Sequence, residues 1–363
     1  MLDESNQTRT RFQPTAIDLF SGSGGLTAGL KKAGFRVIAG VELDSLSAET
    51  YRKNHSDVNL WEQDIRRINL ELMQTKLGVK PGELDLLAGC PPCQGFSTIR
   101  THKKGAAVED PRNALVWEFF RFVVGLLPKA ILLENVPGLV SYGAFTQVVA
   151  KFDALGYVCN YGVFDAADYG VPQRRRRLVL VGSRNLSIPL AEATTKVRHV
   201  RDAIGFLPAA GKSGDPLHDM MERRSAKVAA MIKLIPKDGG SRFSLPKKYE
   251  LPCHRACAGF RDVYGRMAWD EVSPTITSGC TNPSKGRFIH PEQDRAITPR
   301  EAALLQGFPA RYYFSDKGGK GGLARLIGNA FPPEFARRFA VEIYEVLRVE
   351  ASLCPLRLRR SSN

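Results

Sequence analysis

Short apolar runs separated by polar, glycine-bearing segments set the rhythm of the first 184 residues. Ala16-Ile17-Asp18-Leu19-Phe20, Val37-Ile38-Ala39-Gly40-Val41, Leu84-Asp85-Leu86-Leu87-Ala88, Ala130-Ile131-Leu132-Leu133 and Leu178-Val179-Leu180-Val181 have the length and near-continuous apolarity of strands covered on both faces. A weaker run, Val58-Asn59-Leu60-Trp61, lies among them. Leu26-Thr27-Ala28-Gly29-Leu30, by contrast, has helical spacing. Alternation of this kind predicts a doubly wound, mostly parallel α/β sheet. Residues 1 to 14 are polar, so order is expected to begin near Ala16. The rhythm breaks at Gly182-Ser183-Arg184-Asn185, and residues 185 to about 325 read as a smaller, irregular domain.

Polar chemistry gathers where the apolar runs end, which is where doubly wound sheets place their ligands. The first run leads into Ser21-Gly22-Ser23-Gly24-Gly25 and then the helical segment, a ready cradle for an anion or a cofactor. The second ends in Glu42, close to the spacing at which an acidic residue accepts from a ribose. A glycine turn alone serves NAD, FAD or mere tight packing equally well. The dinucleotide pattern, however, requires glycine three positions after Gly24, where Thr27 stands. A nucleoside cofactor without a pyrophosphate, such as S-adenosylmethionine, suits the turn better. Asp64, followed by Ile65, is a second carboxylate for an adenine amino group, or simply a helix cap.

The run from Leu84 passes into Gly89-Cys90-Pro91-Pro92-Cys93-Gln94-Gly95-Phe96-Ser97, and the run from Ala130 into Glu134-Asn135-Val136. A thiolate on a proline-stiffened loop beside a carboxylate suggests a nucleophile and a general acid acting on one substrate. Cys90-x-x-Cys93 has the spacing of a redox dithiol, but Pro91-Pro92 leads into a polar loop instead of a helix start. A structural zinc would need Cys253, His254, Cys257 or Cys280, whose spacing fits no common pattern, so no metal is expected.

Charge adds a partner. The 363 residues carry a net charge of +15 and are 43% hydrophobic, enough for a sizeable core and two domains facing a polyanion. Between Lys212 and Arg266 there are 12 Lys or Arg against 6 Asp or Glu, interleaved with Phe243, Tyr249, Phe260 and Tyr264. That suits a nucleic-acid face, although a basic run is also an ordinary solvated surface. Seven cysteines, an odd number, and no N-terminal apolar segment or membrane-length run predict a soluble protein of a reducing compartment such as the cytoplasm.

Taken in order, these segments resemble the bacterial cytosine-C5 DNA methyltransferases. The resemblance runs from Asp18-Leu19-Phe20-Ser21-Gly22-Ser23-Gly24-Gly25-Leu26 through the Pro-Pro-Cys-Gln loop and Glu134-Asn135-Val136 to Gln173-Arg174-Arg175-Arg176-Arg177. It resumes at Arg295 through Pro309, with Thr298-Pro299-Arg300-Glu301 inside it, and closes at Ile327-Gly328-Asn329-Ala330-Phe331-Pro332-Pro333. No single motif settles the matter; their order does. Departures are few: Phe331 replaces the usual valine, Gln63 precedes Asp64 where glycine is common, and Leu43 follows Glu42 where some members carry an aromatic residue.

The resemblance implies methyl transfer from S-adenosylmethionine to C5 of a cytosine flipped out of double-stranded DNA. Cys93 matches the thiolate that adds to C6, Glu134 the acid at N3, and Asn135 a residue that helps position it. Arg175 and Arg177, alternating on a strand, would point the same way toward the cytosine O2, Glu134 and phosphate. Phe20, Gly22, Gly24, Gly25, Leu26, Glu42, Leu43, Asp64, Ile65, Pro92, Leu115 and Asn329 match cofactor positions. Gln94, Ser97, Arg100, Arg242 and Thr275 are the candidate DNA contacts, with the loop from Gly95 to Arg112 as a lid. The helical pattern Glu334 to Arg348 should return to the first domain and bring Asn329 to the cofactor, giving a catalytic domain of 1–184 and 326–363 and a target-recognition domain of 185–325. A monomer is expected, with a cognate restriction endonuclease acting separately in a restriction-modification system. Two rivals stay open: a methyltransferase of structured RNA such as tRNA, and a catalytically silent DNA-binding relative. Neither the target sequence nor the base that removes the C5 proton is written in these residues.

Overall fold

The computed structural model describes residues 12–92, 115–141, 143–220, 224–249 and 261–360, with the side chains of 141, 144, 247 and 354–360 left aside. A seven-stranded sheet forms its centre. The strands are β1 (Thr15–Leu19), β2 (Arg36–Glu42), β3 (Asn59–Glu62), β4 (Leu86–Gly89), β5 (Ala130–Asn135), β6 (Val158–Asp165) and β7 (Arg176–Ser183). They lie in the order β3-β2-β1-β4-β5-β7-β6. All neighbours are parallel except β7, which runs antiparallel to both β5 and β6. The chain order reverses between β1 and β4, so a crevice opens there at the strands' carboxyl ends.

The apolar runs become the central strands because both faces are covered. β4 and β5 are buried along their whole length. On one face pack α1 (Gly25–Lys32) and the long C-terminal α10 (Pro333–Arg360), whose Phe335, Phe339 and Ile343 join Leu26, Leu30 and Val179 in one cluster. On the other, Phe119, Phe122 and Val123 of α4 (Leu115–Leu126) join Val148 and Phe152 of α5 (Gly143–Ala154), with Met73 of α3 (Leu70–Leu77) in the same cluster. Between β2 and β3 runs α2 (Ser45–Asn54), capped by Asp44, which accepts from the Ser47 N–H. The helix expected from Glu334 to Arg348 is longer and packs against α1 and the sheet. Gly29 of α1 touches α10 so closely that a Cβ there would meet Ala336 and the Pro333 carbonyl.

Beyond β7 regular structure thins. Helices α6 (Val200–Ile204), α7 (Ala226–Leu234), α8 (Pro299–Leu305) and α9 (Gly319–Asn329) are joined by irregular chain with isolated bridges such as Arg266 to Ile289. A buried guanidinium replaces the sheet ladder here. Arg266, with no exposed surface, donates to the carbonyls of His290 (2.8 Å), Gln293 (2.7 Å) and Ile232 (3.1 Å) and to the Asp294 carboxylate (3.0 Å). Cys280 is buried, while Cys253, His254 and Cys257 lie outside the described residues. Among the described residues no helix is long and apolar enough to cross a membrane, and no group of three or more His, Cys, Asp or Glu could hold a metal.

Candidate active site

At the end of β1 the backbone turns through left-handed conformations at Phe20 (φ 59°), Gly22 (φ 53°) and Gly24 (φ 90°) before α1 begins. Glycine suits the last two positions, whereas Phe20 is held in a strained conformation by its surroundings. The Ser21 hydroxyl ties the turn down, donating to the Asp18 carbonyl (2.7 Å) and accepting from the Val41 N–H (3.1 Å). Gly25 leaves no room for a side chain, because a Cβ would run into the Phe331 carbonyl. Ser23 donates to Leu326 O (3.0 Å) and Tyr312 donates to Ser23 O (2.7 Å). The glycine turn is therefore interlocked with the end of α9, where Asn329 is exposed.

Glu42, at the end of β2, accepts from the Gly22 N–H (2.7 Å), the Leu43 N–H (2.9 Å) and the Asp44 N–H (2.7 Å). A carboxylate has about four acceptor positions, so roughly one is left for a ribose hydroxyl. Burial raises its pKa against these backbone donors. Leu43 follows as a 64% exposed apolar surface. Asp64 caps the short helical turn Ile65–Arg67 and is bound by the Arg66 guanidinium, which holds its pKa down to about 2. Ile65 is buried and Leu115 partly so. Gly-rich turn, acidic strand end and apolar platform together fit an adenosyl group.

Behind the turn lies a feature that strand periodicity hides. Asp18 is completely buried, accepts from the Thr27 hydroxyl (2.6 Å), and has its other oxygen without a hydrogen-bond partner. Burial pushes its pKa up to about 7 in spite of the Thr27 bond. Tyr51 meets the same Thr27 hydroxyl at 2.8 Å. His55 lies within reach of the Gly24 carbonyl (3.2 Å) and the Tyr312 hydroxyl (2.9 Å), and burial lowers its pKa to about 4.

The second half of the crevice lies at the ends of β4, β5 and β7. Gly89 pairs with Leu133, so residues 90 and 91 leave β4 beside Glu134 and Asn135. Arg177 Nε meets Glu134 Oε1 at 2.9 Å, both side chains being largely buried. Asn135 differs from expectation: its Nδ2 donates to the Pro91 carbonyl (2.9 Å) and its Oδ1 accepts from the Val136 N–H (2.8 Å). It holds the loop instead of the acid. Pro92 is exposed, while Cys93, Gln94, Ser97, Arg100 and the rest of the expected lid lie outside the described residues.

A family model described as C-5 cytosine-specific DNA methylase matches residues 15–345. The type II methylase M.HgiDII of Herpetosiphon aurantiacus is 35% identical over 91% of this chain and 95% of its own length. The chain belongs to the C-5 cytosine-specific DNA methylase family. The type II methyltransferase M1.HphI of Haemophilus parahaemolyticus is 32% identical over 92% of this chain and 87% of that one. The S. pombe Dnmt2 methyltransferase shares the fold, with a TM-score of 0.61 at 20% identity over 92% of this chain and 99% of that one. Family and fold imply S-adenosylmethionine as the methyl donor of this DNA cytosine methylase.

Within the methylase, the arginine pair divides its contacts. β7 begins only at Arg176, and the two guanidinium groups lie near Glu134 but take different hydrogen-bond partners. Arg175 is buried and donates to the carbonyls of Ile276 (3.0 Å) and Gly328 (3.0 Å), leaving Glu134 to Arg177. Desolvation, with Arg177 nearby, lowers the Arg175 pKa. Thr275 is likewise spent within the chain, donating to Arg174 O (2.6 Å). Arg242 stacks over Phe243 (4.9 Å), which is 62% exposed. Gln173 extends this junction, accepting from the Ile276 N–H (2.8 Å) and donating to Gln306 (2.5 Å). Sequence reading missed Gln173, Arg175 as a brace, and Asp18.

Proposed function

We propose that the crevice methylates C5 of a cytosine flipped from duplex DNA, with Cys93 as nucleophile and Glu134 as the acid at N3. The observation that carries this reading is the Arg177–Glu134 contact at 2.9 Å beside the loop that leads to Cys93. The Cys93 thiolate adds to C6 while Glu134 gives a proton to N3, leaving C5 enamine-like. S-adenosylmethionine, when bound, supplies the methyl group that C5 attacks. Loss of the C5 proton and of the thiolate, with the N3 proton returned to Glu134, then restores the aromatic ring. Arg177 orients Glu134, Asn135 positions the loop, and Arg175 braces the crevice against Ile276 and Gly328.

The adenosyl seat comprises Phe20, Gly22, Gly24, Gly25 and Leu26 of the turn, then Glu42, Leu43, Asp64, Ile65, Pro92, Leu115 and Asn329. Support comes from the Gly25 cradle and from the acceptor position left on Glu42. Residues 185–325 act as the target-recognition domain, where Arg242 contacts DNA. The type II names of the relatives support a cognate restriction endonuclease acting separately, and we infer that the enzyme works as a monomer in the cytoplasm.

Glu134→Gln tests the centre of this reading. Transfer of labelled methyl groups into duplex DNA should slow by roughly a hundredfold, the scale of lost general acid catalysis, while duplex affinity holds. Unchanged turnover removes Glu134 from the mechanism.

A further inference from the structure

We propose that Cys90 is a positioning residue for Glu134, its thiol holding one edge of the carboxyl group while Arg177 holds the other. The inference rests on the reading of Glu134 as the acid at N3. The register that pairs Gly89 with Leu133 carries Cys90 alongside Glu134. Cys90 is pinned on its other side, its N–H donating to the Leu19 carbonyl of β1 at 3.2 Å. The following residue is fixed as well, since Asn135 holds the Pro91 carbonyl at 2.9 Å. Between these anchors the Cys90 side chain packs partly buried against the core, with the Glu134 carboxylate as its charged neighbour.

The surroundings keep this sulfur a donor. Burial, with Glu134 and Asp18 nearby, pushes the thiol pKa well up, so the S–H is retained. Cys90 is therefore poorly suited to nucleophilic attack, which distinguishes it from Cys93. Arg177 Nε occupies Glu134 Oε1, and a second donor limits rotation of the carboxyl group. Holding a catalytic group in one orientation acts on the chemical step, with little effect on binding.

A double-mutant cycle in the full-length enzyme tests this, using single-turnover methyl transfer to duplex DNA together with KM for duplex and cofactor. Cys90→Ala should lower the rate constant roughly fivefold, the scale of one lost hydrogen bond, with both KM values unchanged. Cys90→Ser, which keeps a donor, should recover most of the rate. In a Glu134→Gln background, Cys90→Ala should add nothing, because the group it orients is gone. Should alanine unfold the protein, Cys90→Val supplies a donor-free side chain of similar size. Equal losses for serine and alanine, a loss confined to KM, or the same loss in both backgrounds would each overturn the proposal. If Glu134→Gln itself turns over normally, the mechanism falls first and takes this role with it. A slow Glu134→Gln beside a fully active Cys90→Ala defeats the positioning role alone.

Discussion

Asn135 Nδ2 donates to the Pro91 carbonyl at 2.9 Å, so the end of β5 holds the chain that leaves β4. The residue after the proposed acid thus fixes the path toward the proposed nucleophile. Asn135→Ala should slow methyl transfer by roughly ten- to a hundredfold, because small misplacements of reacting groups are costly. Cofactor binding should largely persist, since most of the proposed seat lies around β1 and β2 and only Pro92 adjoins the Pro91 contact. Single-turnover rates beside equilibrium cofactor titration check this, and an unaltered rate would show that the Pro91 contact is dispensable.

Gly25 offers a test of the cofactor seat that does not depend on catalysis. A methyl group there would collide with the Phe331 carbonyl, which is backbone and has little freedom to yield. Gly25→Ala should cost about 1–3 kcal/mol of stability, the usual range for overpacking, and weaken cofactor affinity. Denaturant titration and calorimetric binding measure the two effects. A variant with both at the parental level would contradict the interlock between the turn and the end of α9.

Asp18 predicts a pH dependence of unusual sign. Its carboxyl group has a folded pKa of about 7 against an ordinary value of 3.8, chiefly through burial. Between those values the folded protein keeps the proton that the unfolded chain releases. Stability from this group is therefore complete at low pH and falls as pH rises toward the folded value, by roughly 1.4 kcal/mol per pH unit. Asp18→Asn has no such proton to lose. Its stability relative to the parent should climb from pH 5 to pH 7 and level off above it, as followed by chemical denaturation. A difference that stays flat across this range would show that Asp18 is ionised throughout.

Features written within a few residues were legible in the sequence. The strands announced themselves as apolar runs, and the residues ending them, Glu42, Glu134 and Asn135, occupy the crevice because a parallel sheet delivers its strand ends to one edge. Long-range partnerships were not legible. Alternation across Gln173 to Arg177 placed Arg175 and Arg177 on one side, but it could not show that the carbonyls of Ile276 and Gly328 take up the Arg175 guanidinium. Asp18 passed unremarked within an apolar run, since its burial beside Thr27 and Tyr51 depends on partners from two helices. The irregular chain beyond β7 was illegible for the same reason. Arg266 organises it through carbonyls distant in the chain, and such bonds leave no periodicity to read.

Cys93 is the remaining test of the covalent mechanism, and the state of Cys90 supports choosing Cys93 over it. The Cys90 thiol is held protonated by burial and by Glu134 and Asp18, whereas Cys93, the proposed nucleophile, directly precedes Gln94-Gly95. Addition of a thiolate to C6 can be caught if the C5 substituent cannot leave. Duplex DNA carrying 5-fluorocytosine at the target, with S-adenosylmethionine, should accordingly give a complex that survives denaturing electrophoresis. Fluorine does not depart as a cation, so elimination stops with the carbon–sulfur bond intact. Cys93→Ser should abolish methylation and trapping while still binding cofactor. Cys90→Ser should still trap, because a hydroxyl in that place keeps a donor on Glu134. A trapped complex with Cys93→Ser, or its loss in a folded Cys90→Ser enzyme, would move the nucleophile away from Cys93.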